Sequence, residues 1–399
     1  MSCPLYHRLL VLISVMLLCT AGAGAANEQV LYSFTGPGGG DPSSGVLLGG
    51  PTILYGVAGI GGTHASGTVY RLSRSGSAWT ETVLYDFSGG GDGANPGGDL
   101  VRDSDGNLYG TTSSGGAVGS CSCGVVFKLS RSSSGWIETV LYAFTGGADG
   151  QHPSGGVILD SAGNLYGTTW FSNNGTAGGT VFELSPSNGS YVEHTLATLD
   201  VAYLNPNLVF DKAGNLYGTT RYGGARGLGM VYQLSPASGS WTLAVLHSFQ
   251  GRAHGDGAQP RSGVIVDGHG NLYGTTVAPF GTVYELSHVN GSWQETVLYT
   301  FSGPDGANPE APLLRDSAGN LYGTTAGGGV AGPSGNLHVG TVFELSPSST
   351  GYVHTTLHTF SGTDGSFPSA KLSRDDAGNL YGTAHGGSGA GGVVFEITP

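Results

Sequence analysis

The chain has 399 residues, of which 75 are glycine and 18 proline, with 14 Lys and Arg against 27 Asp and Glu, a net charge of −13. So acidic a chain, without a basic cluster, excludes nucleic acid and anionic membrane surfaces as partners. Aromatic and charged residues each make up 10%; disordered chains are aromatic-poor and charge-rich, so a packed fold is expected despite the entropy that each glycine loses on folding.

The first residues, MSCPLYHRLLVLISVMLLCTAGAGAANEQ, read as a secretory signal peptide over 1–26. His7 and Arg8 form a weakly basic start, Leu9 to Cys19 an apolar run too short to span a bilayer, and Ala23-Gly24-Ala25 a small-residue cleavage site. The leucine before Cys19 argues against lipidation. Removing this segment takes Arg8 and no acid, leaving a charge of −14. The mature chain, 27–399, is expected to be secreted or periplasmic, and no second hydrophobic segment predicts a membrane span.

The next element is a repeat. Leu-Tyr-Gly recurs at Tyr55, Tyr109, Tyr166, Tyr217, Tyr273, Tyr322 and Tyr381, about 54 residues apart, and six of the seven copies follow Gly-Asn. Self-similarity at a fixed period dictates the fold. Each unit predicts four short strands and no helix, since no 3.6-residue apolar period is sustained. In the second full copy these are WIETVLYAF (136–144), the apolar run GGVILD (155–160), NLYGTT, and GTVFELS (179–185). GGVILD reads as a strand buried on both faces. The Asp-x-x-Gly-Asn turns at Asp103, Asp160, Asp211, Asp267, Asp316 and Asp375 suit hairpins, because aspartate bonds onward amides and glycine takes positive φ. The glycine of Leu-Tyr-Gly predicts room for an aromatic ring from the adjacent sheet, with the tyrosine filling the matching gap one repeat on.

The mature chain opens with NEQVLYSF (27–34), the element its last repeat lacks, and ends on GGVVFEIT. An open solenoid gives no reason for this offset, whereas in a ring the first strand completes the last sheet and removes free edges. The prediction is an all-β, seven-bladed propeller of four-stranded blades, its last blade closed by the N-terminal strand. The order Pro-x-x-Gly-Val-x-x-Asp, turn, Gly-Asn-Leu-Tyr resembles the two innermost strands of NHL-type propellers. That places GVILD at the axis and ETVLYAF at the rim.

The strings GNLYGTT, GTVFELSPS, ETVLYSF and DGA, taken together, resemble the GloVer tandem-repeat family of secreted bacterial proteins, over essentially all of 27–399. The resemblance implies export and often a C-terminal anchoring segment. This sequence departs from that pattern by stopping at its last strand, and the resemblance carries over no catalytic residue.

The longer, more variable loops all fall on one face, where function in repeat folds usually lies. An Asp-Gly pair recurs there at Asp92, Asp149, Asp256, Asp305 and Asp364, with Asp41 a degenerate copy and Asp200 the nearest acid in repeat three. One reading is an acidic ring holding a cation, calcium being the candidate, or a polar sugar; the other is ordinary turn chemistry, which the spread around a wide ring favours. No metal-ligand spacing, nucleophile elbow or phosphate cradle occurs, so no catalytic, cofactor or metal residue is assigned. Breaks in the repeat single out His152, Trp170, Arg221, Tyr222, Arg252 and His385 as candidate ligand contacts. Cys121 and Cys123 predict a small disulfide, with free thiols or soft-metal binding as alternatives.

Two functions fit. The first is a monomeric, non-enzymatic recognition or scaffold module for an extracellular glycan, peptide or surface component, supported by near-identical repeats where catalysis needs unlike groups. The alternative is a polymer-active lyase or hydrolase with its site at the axial mouth of the loop face.

Overall fold

The computed structural model describes residues 26–36, 38–118, 121–153, 155–172, 178–201, 203–329, 339–389 and 391–399. The expected signal peptide lies outside them, apart from Ala26. Seven four-stranded antiparallel sheets are present, each ordered from an inner strand through two middle strands to an outer one. They occupy residues 47–86, 94–143, 158–198, 209–248, 265–300 and 314–359 as blades one to six. Blade seven joins Ser373–Arg374, Leu380–Ala384 and Val393–Thr398 to the N-terminal strand Asn27–Ser33. The fold is a seven-bladed β-propeller. Among the described residues the one helical turn is Arg252–His254, and no helix is long and apolar enough to cross a membrane.

Closure is a true seventh copy of a blade. Asn27 pairs with Thr398 and Val30 with Phe395, and the register slips between Val30 and Tyr32. The same slip occurs in the outer pair of each other blade. The skipped residue is leucine every time: Leu31, Leu84, Leu141, Leu196, Leu246, Leu298 and Leu357. A bulge adds one residue to one strand and resets its alternation, so V-L-Y encodes a bend as well as a strand.

The inner strands are shorter and less buried than expected. In five of the blades they are two residues long, and Ile158 and Leu159 are only half-buried although Val157 is 2% exposed. One face of each inner strand looks into the axial channel instead of a second sheet.

The Leu-Tyr-Gly glycine also departs from expectation. A Cβ on Gly167 would stand 2.5 Å from Cζ of Phe182, which lies opposite it on the third strand of the same blade. The intruding ring is therefore the blade's own. The aromatic set is Tyr70, Phe127, Phe182, Tyr232, Tyr284, Phe343 and Phe395, all fully buried. The tyrosine of Leu-Tyr-Gly does reach the next blade: Tyr166 packs edge-on against Phe210 and Trp241. Room for a neighbouring blade is made by a second glycine, at the start of the third strand. A Cβ on Gly124 would meet Pro153 Cδ at 2.7 Å, and one on Gly340 would meet Pro368 Cδ at 2.5 Å. Threonine hydroxyls fasten the same junctions, Thr111 Oγ1 to Gly155 O at 2.7 Å and Thr383 Oγ1 to Ser44 O at 2.8 Å.

Three members of the aromatic set bury a hydroxyl without a partner: Tyr70, Tyr232 and Tyr284. An unsatisfied buried polar group costs about 1–3 kcal/mol. Phenylalanine fills the equivalent site in four blades, so Tyr232→Phe is expected to raise stability by about 1 kcal/mol in thermal unfolding. A loss of that size would mean that the hydroxyl has a partner.

Candidate ligand-binding face

The loops from each outer strand to the next inner strand, and from each second strand to its third, share one face. Among the described residues, seven non-glycine residues on the approach to the inner strands adopt left-handed backbone: Asp41, Asn95, His152, Tyr203, Gln259, Asn308 and Phe367, with φ between 49° and 64°. They occupy one equivalent position per blade junction. Six precede a proline, and in the seventh Leu204 takes the proline's place. That proline seats on the junction glycine, and the left-handed residue donates its N–H to the preceding blade: His152 to Cys123 O at 2.8 Å, Gln259 to Leu228 O at 2.7 Å. Non-glycine residues rarely take this conformation, which costs about 1–3 kcal/mol each and persists only where the surroundings over-determine it. The backbone is thus fixed seven times, while the side chain differs at almost every position.

Beside this ring lies an aromatic cluster. Tyr203 contacts Trp170 at 5.9 Å, Phe171 at 5.2 Å and Tyr222 at 6.1 Å between centroids, and Arg221 lies 5.2 Å from the Tyr222 centroid. Trp170, Tyr203 and Tyr222 remain 37%, 41% and 37% exposed. A separate concavity of about 510 Å³ is lined by Phe280, Asn308, Glu310, Phe367, Ser369 and His385. His385 also pairs with Asp41, and its hydrogen bond holds the Asp41 carboxyl below its ordinary range against the opposing effect of burial.

The Asp-Gly carboxylates serve their own loops. Asp149 accepts Tyr142 OH at 3.0 Å, Thr145 N–H at 2.7 Å and Thr145 Oγ1 at 2.6 Å. Asp92 and Asp305 repeat this with Tyr85 and Tyr299, and Asp256 and Asp364 with His247 and His358. The Asp-x-x-Gly aspartates are hairpin residues too: Asp211 accepts the Asn215 N–H and side-chain amide and the Tyr217 hydroxyl.

The remaining predicted positions are dispersed. His152 holds Ser113 O through Nδ1 at 2.8 Å, and Arg252 lies exposed in the short helical turn. Cys121 and Cys123 meet as a disulfide, their Cα atoms 5.2 Å apart. Trp170, Arg221 and Tyr222 are brought together. Tyr203, the centre of that cluster, was missed, because repeat three reads LDVAYLNPN and hides its register. The axial channel, about 510 Å³, is lined mainly by Leu47, Ile158, Val209 and Ile265. Its ionisable residues Asp99, Arg102 and Lys371 form no ion pair among the described residues.

The blade seams beneath this face hold raised carboxyls. Burial pushes Glu138 up to about 7, with the Asp92 charge adding to it. Such a group stays protonated in the fold while ionising in the unfolded chain, so it destabilises as pH rises from about 4.3 toward 7. Glu138→Gln is therefore expected to raise the melting temperature at pH 8 and leave it unchanged near pH 4. An equal gain at both pH values would show that the carboxyl's ionisation is not the cause.

A family model described as the Gloeobacter/Verrucomicrobia repeat matches residues 20–209, 174–279 and 205–399. The chain belongs to this repeat family. No curated protein matches the chain. Among solved structures, a candidate 6-phosphogluconolactonase from Bacteroides uniformis is 14% identical, with TM-score 0.51 over 82% of this chain and 86% of that one. A protein from Lactobacillus plantarum is 14% identical, with TM-score 0.52 over 87% and 99%. Likeness at this identity concerns the fold.

Proposed function

We propose that the protein is an exported, non-enzymatic recognition module whose loop face binds an extracellular glycan. The observation that carries this is the left-handed ring: one backbone position, over-determined seven times, presents Asp, Asn, His, Tyr, Gln, Asn and Phe around one face. Rigidly held, varied side chains are what a binding surface needs, since preorganisation spares ordering cost on binding. The Trp170–Tyr203–Tyr222 cluster adds flat aromatic faces able to stack on the C–H face of a sugar ring, with Arg221 beside them for hydroxyls. Export rests on the N-terminal segment; N-terminal sequencing of the secreted protein should begin at Asn27, and a retained leader would count against it.

Tyr203→Asn tests the reading without disturbing the fold, because Asn95 and Asn308 already hold the same left-handed position. Loss of one stacking ring, worth about 0.5–1.5 kcal/mol, should weaken a glycan found on an array by roughly threefold to tenfold. Combined with Trp170→Ala, the loss should approach a hundredfold, while Tyr203→Asn alone keeps or raises the melting temperature. Undiminished calorimetric affinity in the double variant would end the proposal.

A further inference from the structure

Four outer seams between blades repeat one pattern: a loop aspartate and a tyrosine or histidine of one blade face a glutamate on the outer strand of the next, Glu138, Glu193, Glu295 or Glu28. At the seam closing the ring the members are Asp364, His358 and Glu28. Glu28 sits on the N-terminal strand, opposite Ile397, whereas His358 and Asp364 belong to blade six and its exit loop. One ligating atom from each lies within 4.8 Å of the others, and His358 Nε2 is 3.0 Å from Asp364 Oδ2. Zinc with bonds of 2.0–2.1 Å in a tetrahedron sets its ligands about 3.3 Å apart, close to the His358–Asp364 separation and within reach of Glu28 by a small side-chain shift.

Two further observations bear on a ligand. Glu28 Oε1 is buried without a hydrogen-bond partner, as are those of Glu81, Glu138 and Glu295 at other seams, but here a histidine and an aspartate converge on it, and no Lys or Arg pairs with Glu28 or Asp364 among the described residues. Asp364 is already oriented from behind, its Oδ1 accepting the Ser361 N–H and hydroxyl, both at 2.8 Å, as the outer partners of metal-bound carboxylates are.

We propose that Glu28, His358 and Asp364 form a divalent-cation site of the zinc class across the seam where the N-terminal strand closes the ring. One histidine and two carboxylates leave a fourth position for water. The nitrogen ligand selects against calcium, which takes six to eight oxygens. Binding replaces the His358–Asp364 hydrogen bond with two metal bonds and ties the N-terminal strand to blade six. The site is separate from the loop-face ligand position and does not depend on it.

The test is zinc chloride added to chelator-stripped protein, followed by calorimetry and thermal unfolding. The wild type should bind a single strong equivalent and melt several degrees higher with zinc. His358→Tyr restores the residue found at Tyr32, Tyr85, Tyr142 and Tyr299, so its metal-free melting should match the wild type. Its zinc affinity should fall by more than about a hundredfold, the most that losing an outer partner usually costs. His247→Tyr, at another seam, should leave zinc binding intact. Equal zinc affinity in wild type and His358→Tyr, or no stoichiometric uptake by the wild type, overturns the proposal.

Discussion

Gly167→Val is expected to lower stability by about 3 kcal/mol, among the largest effects a single change can have here. Valine favours strands intrinsically, so propensity alone predicts a gain. The structure reverses that sign. The new Cβ would stand 2.5 Å from Phe182 Cζ, and Phe182 has little freedom to yield, since Phe144 packs edge-on against it at 5.1 Å. Phe182→Ala alone should cost about 3–5 kcal/mol through the cavity it leaves. If ring and side chain compete for one space, the double variant costs less than the two singles summed, by on the order of 2 kcal/mol. Strict additivity in thermal or denaturant unfolding would show that the glycine is required for some other reason.

The seven-bladed ring was legible because three signals agreed: a fixed period, four strand patterns per period, and an opening fragment matching what the last repeat lacks. The order from axis to rim was also legible. The identity of the ring facing the Leu-Tyr-Gly glycine was not, because strand register, and not order, decides whether an aromatic belongs to the same blade or the next. The left-handed ring did leave a trace, as an X-Pro pair in six repeats, yet a residue before proline reads as extended backbone. Only the junction glycine and the N–H bond to the preceding blade show why it turns the other way. Symmetry breaks pointed to Trp170, Arg221 and Tyr222, which the fold brings side by side, and to Arg252, which stands apart in an exposed turn. Glu28 and His358 are separated by nearly the whole chain, so no local motif could join them.

Deleting the chain up to Phe34 should abolish the closed propeller. Leu31 and Phe34 are 8% and 1% exposed, and Phe34 stacks edge-on with Tyr70 of blade one at 5.0 Å. Burying such side chains is worth about 1.5–3 kcal/mol each, and their loss uncovers Val393–Thr398 as an unpaired edge, a template for association. Light scattering should therefore find oligomers or aggregate. A permutant separates loss of the strand from loss of the N-terminus. Because Asn27 pairs with Thr398, an Asn-Gly turn replacing Pro399 can join them as Asn188-Gly189 joins Ser187 to Ser190 in blade three. The new ends then fall in a loop after residue 34, and blade seven becomes continuous like the other six. This permutant should be monomeric and melt within a few degrees of the wild type. If the deletion stays monomeric and equally stable, or the permutant fails to fold, the hydrogen-bonded closing strand is not what holds the ring shut.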